Sequence, residues 1–217
     1  MHVADYIQLL VGIGTILIAW VAIFGSRFTN RFFPARLQIL LHNPNGQLEI
    51  DNAGPKYCFH LWIKNTKPWI PVNRVRILLR AASLKSGNEW QPILFPVPRQ
   101  FVWAPSEHAP RDPTVSDSEI LDFGLLSSGC NCFMPALYAQ GGQIDVTVQA
   151  KQTVKYILDV QADGYFDRYQ HIVELSWDGV FPESTTLVPD HLRINLSSIT
   201  KRPTNNIEAF FRRLLNL

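Results

Sequence analysis

Cysteine is scarce in this chain. Cys58, Cys130 and Cys132 are the whole complement among 217 residues, an odd number, and neighbours one residue apart seldom bridge each other. A disulfide framework is not expected. Cys130 and Cys132 read as unligated thiols in a loop, because their spacing, taken with the histidines at 42, 60, 108, 171 and 191, matches no zinc module. Charge of one sign is lacking too: 20 basic residues against 18 acidic leave a net +2, too balanced for nucleic-acid binding through bulk electrostatics. A glycine-rich phosphate loop, a nucleophile elbow and paired zinc knuckles are all missing, so neither a cofactor nor a metal is implied and an enzyme is not expected.

One stretch lacks charge altogether. Tyr6 to Ser26 contains no charged residue and is apolar almost throughout; at about 1.5 Å per residue it is long enough to cross a hydrocarbon core of roughly 30 Å. A retained N-terminal transmembrane helix is expected within residues 1–36, since a cleaved signal peptide would carry Lys or Arg ahead of a shorter apolar core. Asp5, Gln8, Gly12, Thr15, Ala19, Ala22 and Ser26 recur at spacings of three and four, which places them on one stripe. Small residues let helix backbones approach, so the stripe is expected to be a packing face for self-association, with pore lining as an alternative. Arg27, Phe28, Arg31, Phe32, Phe33 and Arg36, interrupted by Pro34, form a basic and aromatic collar suited to the headgroup boundary. Because the arginines follow the apolar run, the positive-inside rule sets the N-terminus outside an inner, cytoplasmic membrane and the main domain in the cytosol.

From Leu37 the apolar period becomes two. Leu37, Ile39 and Leu41, then Leu48 and Ile50 beyond the Asn43-Pro44-Asn45-Gly46 turn, suggest a β-hairpin. Tyr57, Phe59, Leu61 and Ile63 alternate with Cys58, His60, Trp62 and Lys64 in the clearest strand, and Val72 to Leu79 reads as its partner. Further strands are expected at Phe101–Ala104, Glu119–Leu126, Gln143–Ala150, Tyr156–Val160, Gln170–Trp177 and Leu192–Leu196. About nine short strands without a long helical pattern predict an all-β sandwich or barrel over residues 37–200. Pro92–Thr114, with six prolines, and Ser127–Gln140 read as long loops. Residues 201–217 return to helical spacing: Ile207, Phe210, Phe211, Leu214 and Leu215 share a face, while Arg212 and Arg213 point elsewhere. This short basic amphipathic helix is expected in the inner leaflet, on the sandwich or on a neighbouring subunit.

Chemistry-bearing residues in the sandwich mostly have plain readings. Asp159, Asp163, Asp167 and Asp178 are expected as turn formers rather than a calcium site. His60 and Trp62 are expected to complete a second buried face, an exposed groove being the alternative. Arg74, Arg76 and Arg80 form a basic row, expected as a solvated face and considered as an anion site.

The run Tyr57-Cys58-Phe59-His60-Leu61-Trp62-Ile63-Lys64-Asn65, continued by Pro71-Val72-Asn73-Arg74-Val75-Arg76-Ile77-Leu78-Leu79, resembles a strand pair of immunoglobulin-like adhesion-type modules. With Leu175-Ser176-Trp177-Asp178-Gly179 and the anchor, the layout resembles bacterial single-pass membrane proteins carrying one such sandwich. The resemblance implies an immunoglobulin-like β-sandwich and no activity. The expected function is that of a non-enzymatic membrane protein whose cytosolic sandwich binds a partner or small ligand while its transmembrane helix forms homo-oligomers, with a membrane-perturbing bacterial defence effector as a variant. A scaffolding subunit of a larger membrane complex is the alternative. A membrane-bound hydrolase would need a converging His, Asp and Ser or Cys constellation.

Overall fold

Alternation decides the local structure at the centre of the molecule. Tyr57, Phe59, Leu61 and Ile63 are buried and their neighbours are not, so Gly54–Asn65 folds as a long strand with one face to the core. The computed structural model describes residues 6, 8, 11–20, 35–52, 54–94, 98–105, 110–138, 146–165, 167 and 169–200. Among these residues lie twelve strands: Leu37–Leu41 (β1), Gln47–Asp51 (β2), Gly54–Asn65 (β3), Arg76–Ser86 (β4), Glu89–Ile93 (β5), Arg99–Gln100 (β6), Val102–Trp103 (β7), Ser118–Ser127 (β8), Cys132–Pro135 (β9), Gln152–Gln161 (β10), Tyr169–Trp177 (β11) and Leu192–Thr200 (β12). Residues 11–20 form a helix (α1), and Val188–His191 a single helical turn (α2).

The strands form two antiparallel sheets. The first runs β1-β3-β8-β7, with β2 also on β3 and β9 on β8; the second runs β12-β11-β10-β4-β5, with β6 on β4. Their inner faces meet in one core, where Phe123 of β8 stands edge-on to Tyr156 of β10 at 6.3 Å between ring centroids. The all-β, two-sheet expectation therefore holds, and the count of about nine strands is corrected to twelve.

Several details differ from the sequence reading. The Asn43–Gly46 segment does not make a hairpin: β1 and β2 both pair with β3, β1 along Leu61–Asn65 and β2 along Gly54–Cys58. Since β3 has 12 residues, it accommodates two five-residue strands in line, and the turn only offsets the chain. Nor does β4 pair with β3; it crosses to the second sheet and pairs with β10. β5 was missed although Gly87 and Asn88 supply a two-residue hairpin turn between Ser86 and Glu89. The Pro-rich loop contains the short β6 and β7, and the cysteine loop contains β9. Of the strand expected at Gln143–Ala150, residues 143–145 lie outside the described residues, and Val148 makes an isolated bridge to Phe133.

The cysteine expectation is also corrected. Cys130 and Cys132 are joined by a disulfide. Asn131 between them adopts a left-handed backbone, φ 50°, which turns both side chains to one side and leaves the Cα atoms 5.4 Å apart, within the usual span of a disulfide.

In α1, Val11, Ile13, Ile16, Leu17, Ile18 and Trp20 are all exposed. Among the described residues no helix is long and apolar enough to cross a membrane. Asp5, Ala22, Ser26, Arg27, Phe28, Arg31, Phe32, Phe33 and the C-terminal residues Ile207, Phe210, Phe211, Arg212, Arg213 and Leu214 lie outside the described residues.

Candidate functional site

The outer face of the first sheet carries the most unusual surface. In β3 the outward residues are Cys58, His60, Trp62 and Lys64, and the expectation that His60 and Trp62 complete a buried face is corrected: Trp62 is 40 % exposed and His60 half-buried. The second sheet packs on the opposite face of β3, and among the described residues no strand lies over this side. Register sets the neighbours: Trp62 stands between Leu40 of β1 and Ile120 of β8, and His60 opposite Asp122 of β8. His60 Nε2 lies 3.2 Å from Asp122 Oδ1, and the His42 ring packs on Trp62 at 4.8 Å between centroids. Beside them Trp62, Ala104, Pro105, Ser118, Glu119 and Ile120 line an open cleft of about 340 Å³. An aromatic floor with one His–Asp pair suits an apolar or amphipathic surface with a few polar anchors.

Cys58 lies half-buried on the same face. Burial, followed by the Glu49 carboxylate, pushes its thiol up to about 12, so the reactive thiolate is nearly absent at neutral pH.

A second constellation lies at one end of the core. His171 and Asp167 are buried, and His171 Nε2 approaches Asp167 Oδ2 at 3.2 Å without the alignment of a full hydrogen bond. His171 Nδ1 is 2.9 Å from the Ser198 hydroxyl on β12, since Ser198 is the register partner of His171. Ser, His and Asp thus converge, which no local motif revealed. The imidazole is reversed relative to a serine-protease triad, with Ser on Nδ1 and Asp on Nε2. Ser198 lies in a regular edge strand, and neither the cleft lined by Trp62 and Ile120 nor the one lined by Asp178 and His191 includes any of the three residues. The Ser198 hydroxyl caps one nitrogen of this buried imidazole from the edge strand, while the other nitrogen faces Asp167 without a full hydrogen bond.

The basic row is locally neutralised. Arg74 Nε donates to Asp163 Oδ2 at 2.5 Å, and Arg76 Nε donates to Asp112 Oδ2 at 2.7 Å. Arg80 is exposed at the irregularity where the β4–β10 register shifts. The aspartates do not form one site either: Asp163 and Asp167 lie at one end of the β10–β11 hairpin and Asp178 beyond the other, where its Oδ2 meets His191 Nδ1 at 2.8 Å. Among the described residues no group of three His, Cys, Asp or Glu side chains is placed to hold a metal.

Of the stripe, Gln8, Gly12, Thr15 and Ala19 fall on described helical residues. A Cβ at Gly12 would meet nothing within 4 Å, and the Thr15 hydroxyl donates to the Val11 carbonyl at 2.8 Å within the helix. No family model, no curated protein and no solved structure matches the chain.

Proposed function

We propose that this chain is a non-enzymatic, membrane-anchored binding protein: an N-terminal span self-associates through its small-residue stripe, and an immunoglobulin-like sandwich on the cytosolic side binds a partner through its outer aromatic face. The observation that carries the anchor is the surface of α1, where Val11 is 63 % exposed, Ile16 70 %, Leu17 58 % and Ile18 72 %. A helix that is apolar on every side and unpacked is suited to lipid, and the uncharged run continues to Ser26. The observation that supports the binding face is Trp62, 40 % exposed in the middle of a sheet. In a defence effector, occupancy of that face would cluster the heads and draw the helices together.

The test is expression of the full chain in bacterial membranes followed by crosslinking. Gly12→Leu and Ala19→Leu reduce the crosslinked fraction and Leu10→Ala does not; equal loss at all three sites overturns the stripe, and a chain that stays in aqueous buffer without detergent overturns the anchor. A monomeric mass in detergent supports the scaffolding-subunit reading. One observation favours the opposite topology, with the sandwich on the oxidising side: the Cys130–Cys132 bond, since such links are rare in the cytosol. Digestion of the sandwich by protease added outside intact cells would establish that topology and overturn the cytosolic one.

A further inference from the structure

Asn65 ends β3 with its side chain buried, and from there it orders the loop that follows. Its Nδ2 donates to the carbonyls of Ile70 at 2.8 Å and Val115 at 3.3 Å, and its Oδ1 accepts from Lys67 N at 3.0 Å. Within this brace Ile70 N donates to Lys67 O at 2.9 Å, closing a tight turn with Pro68 and Trp69 at its tip; proline suits the first central position of such a turn. Trp69 is consequently held 72 % exposed on a stiff support. A large aromatic braced outward in this way suits a boundary with an apolar side and a wet one.

Both flanking segments of the chain leave the sandwich beside that turn. Thr66 N donates to Arg36 O at 2.9 Å, so the loop touches the residue that leads back to the collar and the apolar run. The Arg36 guanidinium in turn reaches the Tyr169 hydroxyl at 3.2 Å and lies over the Tyr169 ring at 5.4 Å. Tyr169 is the register partner of Thr200, the last residue of β12, after which the sequence continues into Lys201, Arg202 and the basic amphipathic stretch. Entry and exit therefore lie at the same end of the fold as Trp69.

We propose that this end of the sandwich is a membrane-contact surface, seated on the phospholipid headgroup layer with Trp69 and Ile70 at the interface. The inference rests on the anchor proposed above and adds the orientation of the head. Nine residues lie between Ser26 and Arg36, and even fully extended the ten steps between them reach no farther than about 35 Å, so the end bearing Trp69 is the one the tether holds nearest the bilayer. The pair Arg74–Asp163 at this end cancels its own charge, which leaves the contact to the aromatic tip and Arg36, with the exposed Asp117 as their acidic neighbour; Arg27, Arg31, Lys201 and Arg202, which flank the sandwich in sequence, lie outside the described residues.

The experiment reconstitutes the full chain into vesicles of phosphatidylcholine and phosphatidylglycerol brominated near the carbonyl end of their acyl chains, and reads tryptophan quenching. Trp20→Phe removes the component from the span, Trp69→Phe removes a second component, and Trp90→Phe, at the far end in the β4–β5 hairpin, removes none. If Trp69→Phe leaves the quenching unchanged while the Trp20 component persists, the contact is overturned and the anchor stands. If the chain fails to float with the vesicles and no component belongs to Trp20, the anchor is overturned as well.

Discussion

His171 and Asp167 are buried together 3.2 Å apart, with an exposed serine, Ser198, capping the other imidazole nitrogen at 2.9 Å. Removing one member of a buried polar pair leaves the other without compensation, which costs far more than losing a hydrogen bond at the rim. Asp167→Ala is expected to lower stability by about 3 kcal/mol and Ser198→Ala by about 1 kcal/mol, measured by urea unfolding of the detergent-solubilised chain. A larger loss at Ser198→Ala than at Asp167→Ala would mean that the hydroxyl, not the carboxylate, secures the histidine.

The pairing of Arg76 with Asp112 predicts an acid-sensitive element. The hydrogen bond from Arg76 holds the Asp112 carboxyl below its usual range, outweighing burial, which pushes the other way. Because the folded value lies below the unfolded value of about 3.9, the contribution is fully present above that pH and is lost as pH falls through the folded value. Unfolding curves at pH about 6 and about 3 check this: Asp112→Asn is less stable than wild type at the higher pH, and the gap is smaller at the lower. A gap that does not shrink in acid would assign the effect to packing.

How much of this was legible in the residues depends on the range of the signal. Period-two alternation marked the cores of β3, β4, β8, β10 and β11, because burial of one face is written locally. Pairing was not, since it is settled by which edge is long enough and which face needs cover: the offset of β1 and β2 along β3 and the transfer of β4 to the other sheet depend on the whole fold. Trp62 looked like a packing residue for the same reason, as its strand cannot say that no layer covers its outer side. Asp167 and His171, four residues apart, straddle the start of β11, but Ser198 joins them through register alone. The Cys130–Cys132 link turned on the left-handed backbone of Asn131, a conformation that Asn adopts more readily than most residues.

Cys58 should be chemically silent in the folded chain. With its thiol pushed up to about 12 by burial first and Glu49 second, alkylation at pH about 8 is expected to be slow in the native protein and to rise on unfolding toward the rate of a thiol of pKa about 8.5. Mass spectrometry after timed iodoacetamide treatment without reductant reads this site separately from the bonded pair. Glu49→Gln should speed native labelling, and rapid labelling of the wild type would contradict the assigned environment.

Gly124 is the position where the first sheet tolerates no side chain. It lies opposite Phe59 at the irregularity that leaves Phe123 unpaired in the β3–β8 ladder, and a Cβ there would come within 2.5 Å of Phe133 Cζ and 2.6 Å of the Met134 carbonyl oxygen. Phe133 cannot yield, because it is buried and packed against both Phe59 and Phe123, with ring centroids 5.9 and 5.6 Å away. Gly124→Ala is therefore expected to cost about 2 kcal/mol or more through overpacking. Gly87 supplies the contrast: its φ of +61° disfavours a side chain, but nothing lies within 4 Å, so Gly87→Ala should cost about 1 kcal/mol from conformation alone. Urea unfolding of the two variants separates the causes, and Phe133→Leu introduced beside Gly124→Ala should recover part of the first loss by opening space. Failure of that double variant to recover anything would place the cost in the Met134 carbonyl rather than in the aromatic core.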